Sequence, residues 1–255
     1  MKNAWLTARS AILWAVSGIH FVVVIPLLIA MAVFIDPRKN DYPQRLFFRN
    51  ILRLLGIRFQ VRHAPGFDPE RTSLFICNHV NIFDPFVVYT AIPQFLRGFE
   101  LASHFRIPFY GWLMGRFGNI PVPDEINHAG VEAMKVSAAA ALKSGVSLIA
   151  FAEGSRTRNG HVGLFRKGIF RMAQNFGVPL VPVTITGSYE IFRTGHWMLH
   201  PGTITVYVHD TIEFKEFEHM DTDELRTKIH GIVSAPIETA WKEKDEAVGT
   251  QQAEI

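Results

Sequence analysis

The chain predicts an α/β fold: a mostly parallel sheet flanked by helices, preceded by an N-terminal hydrophobic membrane segment. Three observations carry this. Short apolar, β-rich runs alternate with segments of helical spacing from residue 58 onward, the pattern of a largely parallel sheet. Two polar, chemistry-bearing loops each follow directly on such a run, at His79 and at Glu153. Residues 11–35 contain no Asp, Glu, Lys or Arg.

The apolar N-terminal run is about what a helix needs to cross a ~30 Å hydrocarbon layer. A cleaved signal peptide is disfavoured, because the run exceeds the usual 7–15-residue signal core and no small-x-small site precedes Asp36-Pro37. Gly18 and Pro26 leave two forms open, a single span or a re-entrant hairpin of two short helices. Lys2 and Arg9 precede the run, while Arg38, Lys39, Arg45, Arg49, Arg53 and Arg58 follow it. If the segment spans, that asymmetry puts the rest of the chain on the cytoplasmic face of the inner or plasma membrane. Residues 43–56 set Leu46, Phe47, Ile51, Leu54 and Leu55 against Arg45, Arg49 and Arg53. Such a helix lies on an anionic membrane surface or packs as an ordinary surface helix, and the spacing fits both.

The remaining elements follow in order. Strands are expected at residues 58–62, 73–77, 95–102, 146–151, 179–186 and 203–209, and helices at 84–91, 109–117, 128–143 and 168–176. Gly145 and Gly177 stand where helices end. A last helix starts at Asp221, with Glu224 completing a capping-box pattern and Leu225, Ile229, Ile232, Val233 and Ile237 as its buried stripe. Pro236 should kink it, and the chain from about Lys242 reads as a frayed polar end. The organisation is thus a membrane-associated segment at 1–42, one globular domain at 43–245 and a polar tail at 246–255.

Composition narrows the partners. With 48% apolar and 19% charged residues in 255, the chain can bury a core. A net charge of +3 suits an anionic ligand or acidic lipid. Lys and Arg form no dense run, which argues against nucleic acid. The single cysteine, Cys77, excludes an internal disulfide and reads as a small buried strand residue, not a nucleophile.

His79 and Asp84 stand five positions apart just after a predicted strand. An imidazole, with its ordinary pKa of about 6.5, can take and return a proton, and a carboxylate on its far nitrogen fixes tautomer and orientation. Asp84-Pro85 also suits a helix cap, and the two roles are compatible. In the second loop, Arg156 and Arg158 can clamp a phosphate with Glu153 orienting one of them, while Asn159-Gly160 marks a turn. Arg166 and Lys167 open a predicted helix, where cations oppose the helix dipole unless an anion is bound there. No Gly-x-Ser-x-Gly elbow is present, which disfavours a serine hydrolase. His196 and His200 have a metal-ligand spacing but lack the Glu of a zinc-protease helix, so no metal is expected.

Asn78-His79 through Asp84, then Glu153-Gly154-Ser155-Arg156, then Val181-Pro182-Val183 occur in this order. Over roughly residues 48–187 the chain resembles the glycerolipid acyltransferases of the lysophosphatidate (1-acyl-sn-glycerol-3-phosphate) acyltransferase type. The resemblance implies that His79 is the general base and Asp84 its orienter. It implies that Asn78, Glu153, Gly154, Ser155 and Arg156, supplemented by Arg166 and Lys167, bind substrate. The expected reaction moves a fatty acyl group from acyl-CoA or acyl-carrier protein to a lysophospholipid hydroxyl, with no cofactor, and membrane lipid is the expected partner. Amides near residues 181–184 are candidates for stabilising the oxyanion. One family block departs: residues 101–108 keep Phe105 and Pro108 but lack a Lys and a Glu, and no Arg follows Ile120-Pro121-Val122. Arg106 or Arg116 is a candidate substitute. The acceptor can therefore be another lysophospholipid or an amino-acid-based lysolipid, and a catalytically silent lipid-binding protein is a further alternative. Residues 109–114 either wall an acyl-chain channel or fill the core.

Overall fold

The apolar runs fold into one seven-stranded sheet in a computed structural model that describes residues 2–253 other than 38 and 40. The strands are β1 Ile57–His63, β2 Leu74–Cys77, β3 Leu96–Leu101, β4 Ile120–Val122, β5 Ser147–Phe151, β6 Leu180–Thr186 and β7 Gly202–Val208. They lie in the order β1-β7-β6-β2-β5-β3-β4. Among the described residues every pairing is parallel save β6 with β7, so β1 and β7 run against the other five strands. The six expected strands are present. β4 adds a seventh, three residues long with Pro121 at its centre, too short and too proline-marked for periodicity to find, and it sits at the sheet edge where Pro is tolerated.

Eight α-helices flank the sheet among the described residues: α1 Lys2–Phe34, α2 Tyr42–Leu54, α3 Asp84–Ala91, α4 Tyr110–Phe117, α5 His128–Lys143, α6 Lys167–Phe176, α7 Ser188–Ile191 and α8 Thr222–Ala253. β2 explains the layering: its four residues are all apolar and all buried, because both faces are covered. Phe75 and Cys77 join one core with residues of α1, α2 and α3, and Leu74 and Ile76 join the other with residues of α5, α6 and α8. Asp221 caps α8 by accepting from the Asp223 amide at 2.7 Å. The helix then continues to Ala253, through the stretch expected to fray. Arg38 lies outside the described residues, as do the last two of the expected tail.

The N-terminal run forms one continuous helix, which removes the hairpin form: Gly18 and Pro26 both lie inside α1. By length and hydropathy α1 can cross a membrane, yet its two ends both rest on the domain. Near the start, Arg9 Nη1 donates to Leu199 O and Trp14 Nε1 to Trp197 O, each at 2.7 Å. Near the end, Arg116 Nε donates to Ala32 O at 2.7 Å, and Ala32 packs on Leu113 and Phe117. At 1.5 Å per residue these contacts span roughly 35 Å. α1 therefore lies alongside the domain, and Ile12, Ile19, Val22, Val23, Leu27 and Val33 are exposed.

Helix α2 settles the amphipathic stretch as a packed helix: Phe47, Ile51 and Leu52 are buried. Arg45 leaves the polar face and turns inward, pairing with Asp41 at 2.8 Å and donating to the carbonyls of Tyr89 and Ile92. In α4 only Leu113 of the 109–114 apolar side chains is buried, whereas Phe109 and Trp112 are exposed.

Between β6 and α7 the chain turns at Gly187, with φ +78°, where an added Cβ would overlap the Thr203 carbonyl of β7. Gly187→Ala should therefore lower stability by at least ~1 kcal/mol, from the left-handed conformation alone. Denaturant unfolding of the two proteins checks this, and an unchanged midpoint would refute it.

Candidate active site

The site starts from a strand register. β2 and β5 are parallel neighbours with Cys77 opposite Phe151, so His79 and Glu153 each lie two residues beyond adjacent strand ends. In an open parallel sheet that is where ligands bind. The Ala152 amide donates to Cys77 O at 3.0 Å and the Thr157 amide to His79 O at 2.8 Å, joining the two loops. The His79 ring stacks on Phe151, with centroids 4.3 Å apart.

Asp84 is fully buried and is the first residue of α3, following Phe83 at the cap position. It caps the preceding loop and not its own helix, which corrects the simple N-cap reading. Its Oδ2 accepts from the Val80 amide at 2.6 Å, the Asn81 amide at 2.9 Å and His79 Nδ1 at 2.7 Å. An oxygen that already accepts two N–H groups fixes Nδ1 as the protonated nitrogen. The lone pair is then on Nε2, of a side chain 21% exposed, ready to accept a proton.

Three residues that the motifs leave out or misassign hold this pair. Ser188 Oγ donates to Asp84 Oδ1 at 3.3 Å. Asn81 Nδ2 donates to Ser188 Oγ at 2.8 Å and to the carbonyls of Ser188 and Phe192 at 3.0 Å. Asn78, expected at the substrate, is buried and uses both ends of its amide on Ile185: Nδ2 donates to Ile185 O at 3.0 Å and Oδ1 accepts from Ile185 N at 2.8 Å. It fastens the end of β2 to β6. The one sequence signal for Ser188 was its place directly after a glycine ending an apolar strand.

Glu153 orients main chain, not an arginine. Its Oε1 accepts from the His79 amide at 2.8 Å and its Oε2 from the Gly163 amide at 2.9 Å. Burial pushes its pKa above the ordinary carboxylate range, and these two amides oppose the rise. Gly154 has φ +70°, and the Arg166 side chain crosses it where a Cβ would sit, its Nε donating to Glu153 O at 3.3 Å. Lys167 is paired with Asp223 of α8, which removes it from the expected phosphate contacts. Ser155, Arg156 and Arg158 are exposed, and neither arginine's side chain has a partner among the described residues.

Residues 181–184, the oxyanion candidates, lie in β6 between β2 and β7, and Pro182 has no amide, so they belong to the sheet and not to the site. Of the charge substitutes, Arg116 is committed to Ala32 O, while Arg106 is exposed. Cys77 is fully buried and its thiol is pushed well above its ordinary pKa, by burial first and then by Asp84 and Glu153, which keeps it protonated. His196 and His200 lie outside any helix, so their spacing does not align them.

A family model described as Acyltransferase matches residues 58–186. The chain is 31% identical over 163 residues to a chloroplastic 1-acyl-sn-glycerol-3-phosphate acyltransferase of Brassica napus, covering 63% of this chain and 46% of that one. It is 26% identical over 191 residues to the 1-acyl-sn-glycerol-3-phosphate acyltransferase of Borreliella burgdorferi, covering 74% and 75%. The chain spans about half the length of the first plant relatives it matches, from 44% to 52%. In fold it is similar to the crystal structure of the 1-acyl-sn-glycerophosphate acyltransferase from Thermotoga maritima, with a TM-score of 0.79 at 21% identity over 94% of this chain and 98% of that one.

Glu153→Gln replaces one acceptor oxygen by an amide donor facing a backbone N–H. It should destabilise the fold by about 1–3 kcal/mol and lower turnover by displacing the His79 main chain. Unfolding together with assay of the same preparation checks both, and wild-type values in each would overturn the clamp.

Proposed function

The chain belongs to the acyltransferase family, and on that premise we propose that it transfers a fatty acyl group from a thioester donor, acyl-CoA or acyl-carrier protein, to the hydroxyl of a lysophospholipid. The observation that carries this is the His79–Asp84 pair: Nδ1 is held at 2.7 Å by a buried carboxylate, leaving Nε2 as the base. Nε2 takes the hydroxyl proton as the acceptor oxygen attacks the thioester carbonyl. Collapse of the tetrahedral adduct breaks the C–S bond, and the imidazolium returns its proton to the departing thiolate. Asp84 stabilises the transient imidazolium and needs no proton of its own. The reaction thus closes with one ester formed, one thiol released and no acyl-enzyme.

Lysophosphatidate is the proposed acceptor, with phosphatidate as the product. The relatives' names support it, and so do the unpaired Arg156 and Arg158 in the loop clamped to His79. Charged hydrogen bonds from a guanidinium suit a phosphate monoester. We place the protein at the cytoplasmic face of a membrane, with the exposed apolar side of α1 against lipid. A helix resting on its own domain at both ends suits an interfacial position better than a perpendicular crossing.

Removing the base should lower acyl transfer by about 10²–10⁴-fold in His79→Ala while membrane binding persists. Assays crossing acyl-CoA and acyl-carrier protein with lysophosphatidate measure it, and near-normal turnover would sink the mechanism. For topology, Trp5→Cys and Phe34→Cys place thiols at exposed positions near the two ends of α1, and the native thiol, Cys77, is buried. Both should react with an impermeant maleimide from the cytoplasmic side of sealed vesicles. Labelling of the two ends from opposite sides would establish a span instead.

A further inference from the structure

The loop after α7 is fastened on two sides. Thr194 Oγ1 donates to the carbonyl of Val80, the residue after His79, at 3.2 Å. Six residues or fewer further on, the same loop is tied to α1: the Leu199 amide donates to Ser10 Oγ at 2.9 Å, and Arg9 and Trp14 donate to the carbonyls of Leu199 and Trp197. Phe192, at the loop's start, is packed against Trp14 and Phe83. The position of this loop relative to the base is therefore set by contacts on both flanks.

Arg193 stands in this fixed loop next to Thr194. It is exposed, and its guanidinium lies 5.1 Å from the centre of the Tyr189 ring. Its guanidinium makes no hydrogen bond or ion pair among the described residues, so all five N–H donors are open. Stacking on a ring leaves the in-plane donors of a guanidinium directed outward, which preorganises it for an oxyanion. Tyr189 also reaches the other loop, donating from Oη to the carbonyl of Arg158 at 3.0 Å. One aromatic side chain therefore links Arg193 to the segment bearing Arg156 and Arg158. That segment is itself clamped to His79 through Thr157 N and Glu153.

Three arginines whose guanidiniums have no hydrogen-bond or ion-pair partner among the described residues thus stand on two loops, each loop bonded to the backbone of residue 79 or 80 and the two joined through Tyr189. A surface arginine covering a tyrosine ring needs no ligand, but it does not require a loop pinned to both the base's loop and α1. We propose that Arg193 is a specificity-determining residue that binds a phosphate monoester together with Arg156 and Arg158. This rests on the acyl-transfer reading above. Two substrates of that reaction carry such a group: the lysophosphatidate headgroup and the 3′-phosphate of coenzyme A.

The test uses the full-length protein in phospholipid vesicles with Arg193→Gln, which keeps a polar side chain of moderate length, and Arg193→Lys, which keeps a point charge. The KM for lysophosphatidate is measured at saturating acyl-CoA, and that for acyl-CoA at saturating lysophosphatidate, with acyl-dephospho-CoA as a second donor. Losing a charge-assisted contact should raise one KM by about 10- to 100-fold in Arg193→Gln, with kcat within about twofold and Arg193→Lys intermediate. A rise confined to lysophosphatidate supports the proposal and identifies the headgroup. A rise confined to acyl-CoA, and absent with acyl-dephospho-CoA, supports it and identifies the donor. Both KM values unchanged, or a fall in kcat alone, would overturn it. Calorimetric binding of glycerol 3-phosphate and of coenzyme A supplies a readout independent of turnover. If the wild type binds either phosphate but transfers no acyl group, the reaction reading fails. Equal binding by Arg193→Gln would then overturn the subsite as well, and weakened binding would sustain it.

Discussion

The parallel register that sets Cys77 beside Phe151 is the constraint on which the site depends. Because the two strands end level, the loops leaving them start as neighbours, and main-chain bonds between Ala152 and Cys77 and between Thr157 and His79 keep them together. A slip of one residue would turn every side chain of β2 to the opposite face. Both faces of β2 are buried, yet they face different cores: Phe75 and Cys77 lie under α2 and α3, Leu74 and Ile76 under α5 and α8. The hydrophobic packing of the two layers thus specifies the register, and the register specifies the chemistry.

Two buried carboxylates then convert loop proximity into geometry. Removing a carboxylate from water costs several kcal/mol unless its lone pairs are met. Asp84 meets its own with two amides, an imidazole and a hydroxyl, and Glu153 with two amides from separate segments. In each case some of the partners are backbone amides of the loop that bears the base: those of Val80 and Asn81 for Asp84, and that of His79 for Glu153. The charge is therefore an internal template for a loop without regular structure, and the imidazole inherits its orientation from it.

Much of this was legible in the sequence, for identifiable physical reasons. Strand and helix patterns located six strands and the principal helices, α3 and α5 to the residue, because Asp84-Pro85 marks where α3 opens and Gly145 follows closely on the end of α5. The His79–Asp84 pair was legible because five positions after a strand end is short range. The roles of Asn78, Glu153, Lys167 and Ser188 were not. Each depends on a partner far away in sequence: Ile185 for Asn78, His79 for Glu153, Asp223 for Lys167 and Asp84 for Ser188. Motif spacing states that such residues matter without stating what they touch. Arg45 shows the same limit within a helix, since its spacing placed it on the polar face while the carbonyls of Tyr89 and Ile92 drew it inward.

Helix α1 meets the usual criteria of an anchor, yet Leu28 belongs to the same apolar cluster as Phe47, Phe83 and Phe192, and Ala32 seals Leu113 and Phe117. It cannot be treated as a removable appendage. A shortened chain without residues 2–34 would present those aromatic rings to water and would free the carbonyls of Trp197 and Leu199. Trimming the greasy end to obtain a soluble domain would thus create a new sticky face in place of the old one, because attachment and folding are served by the same element.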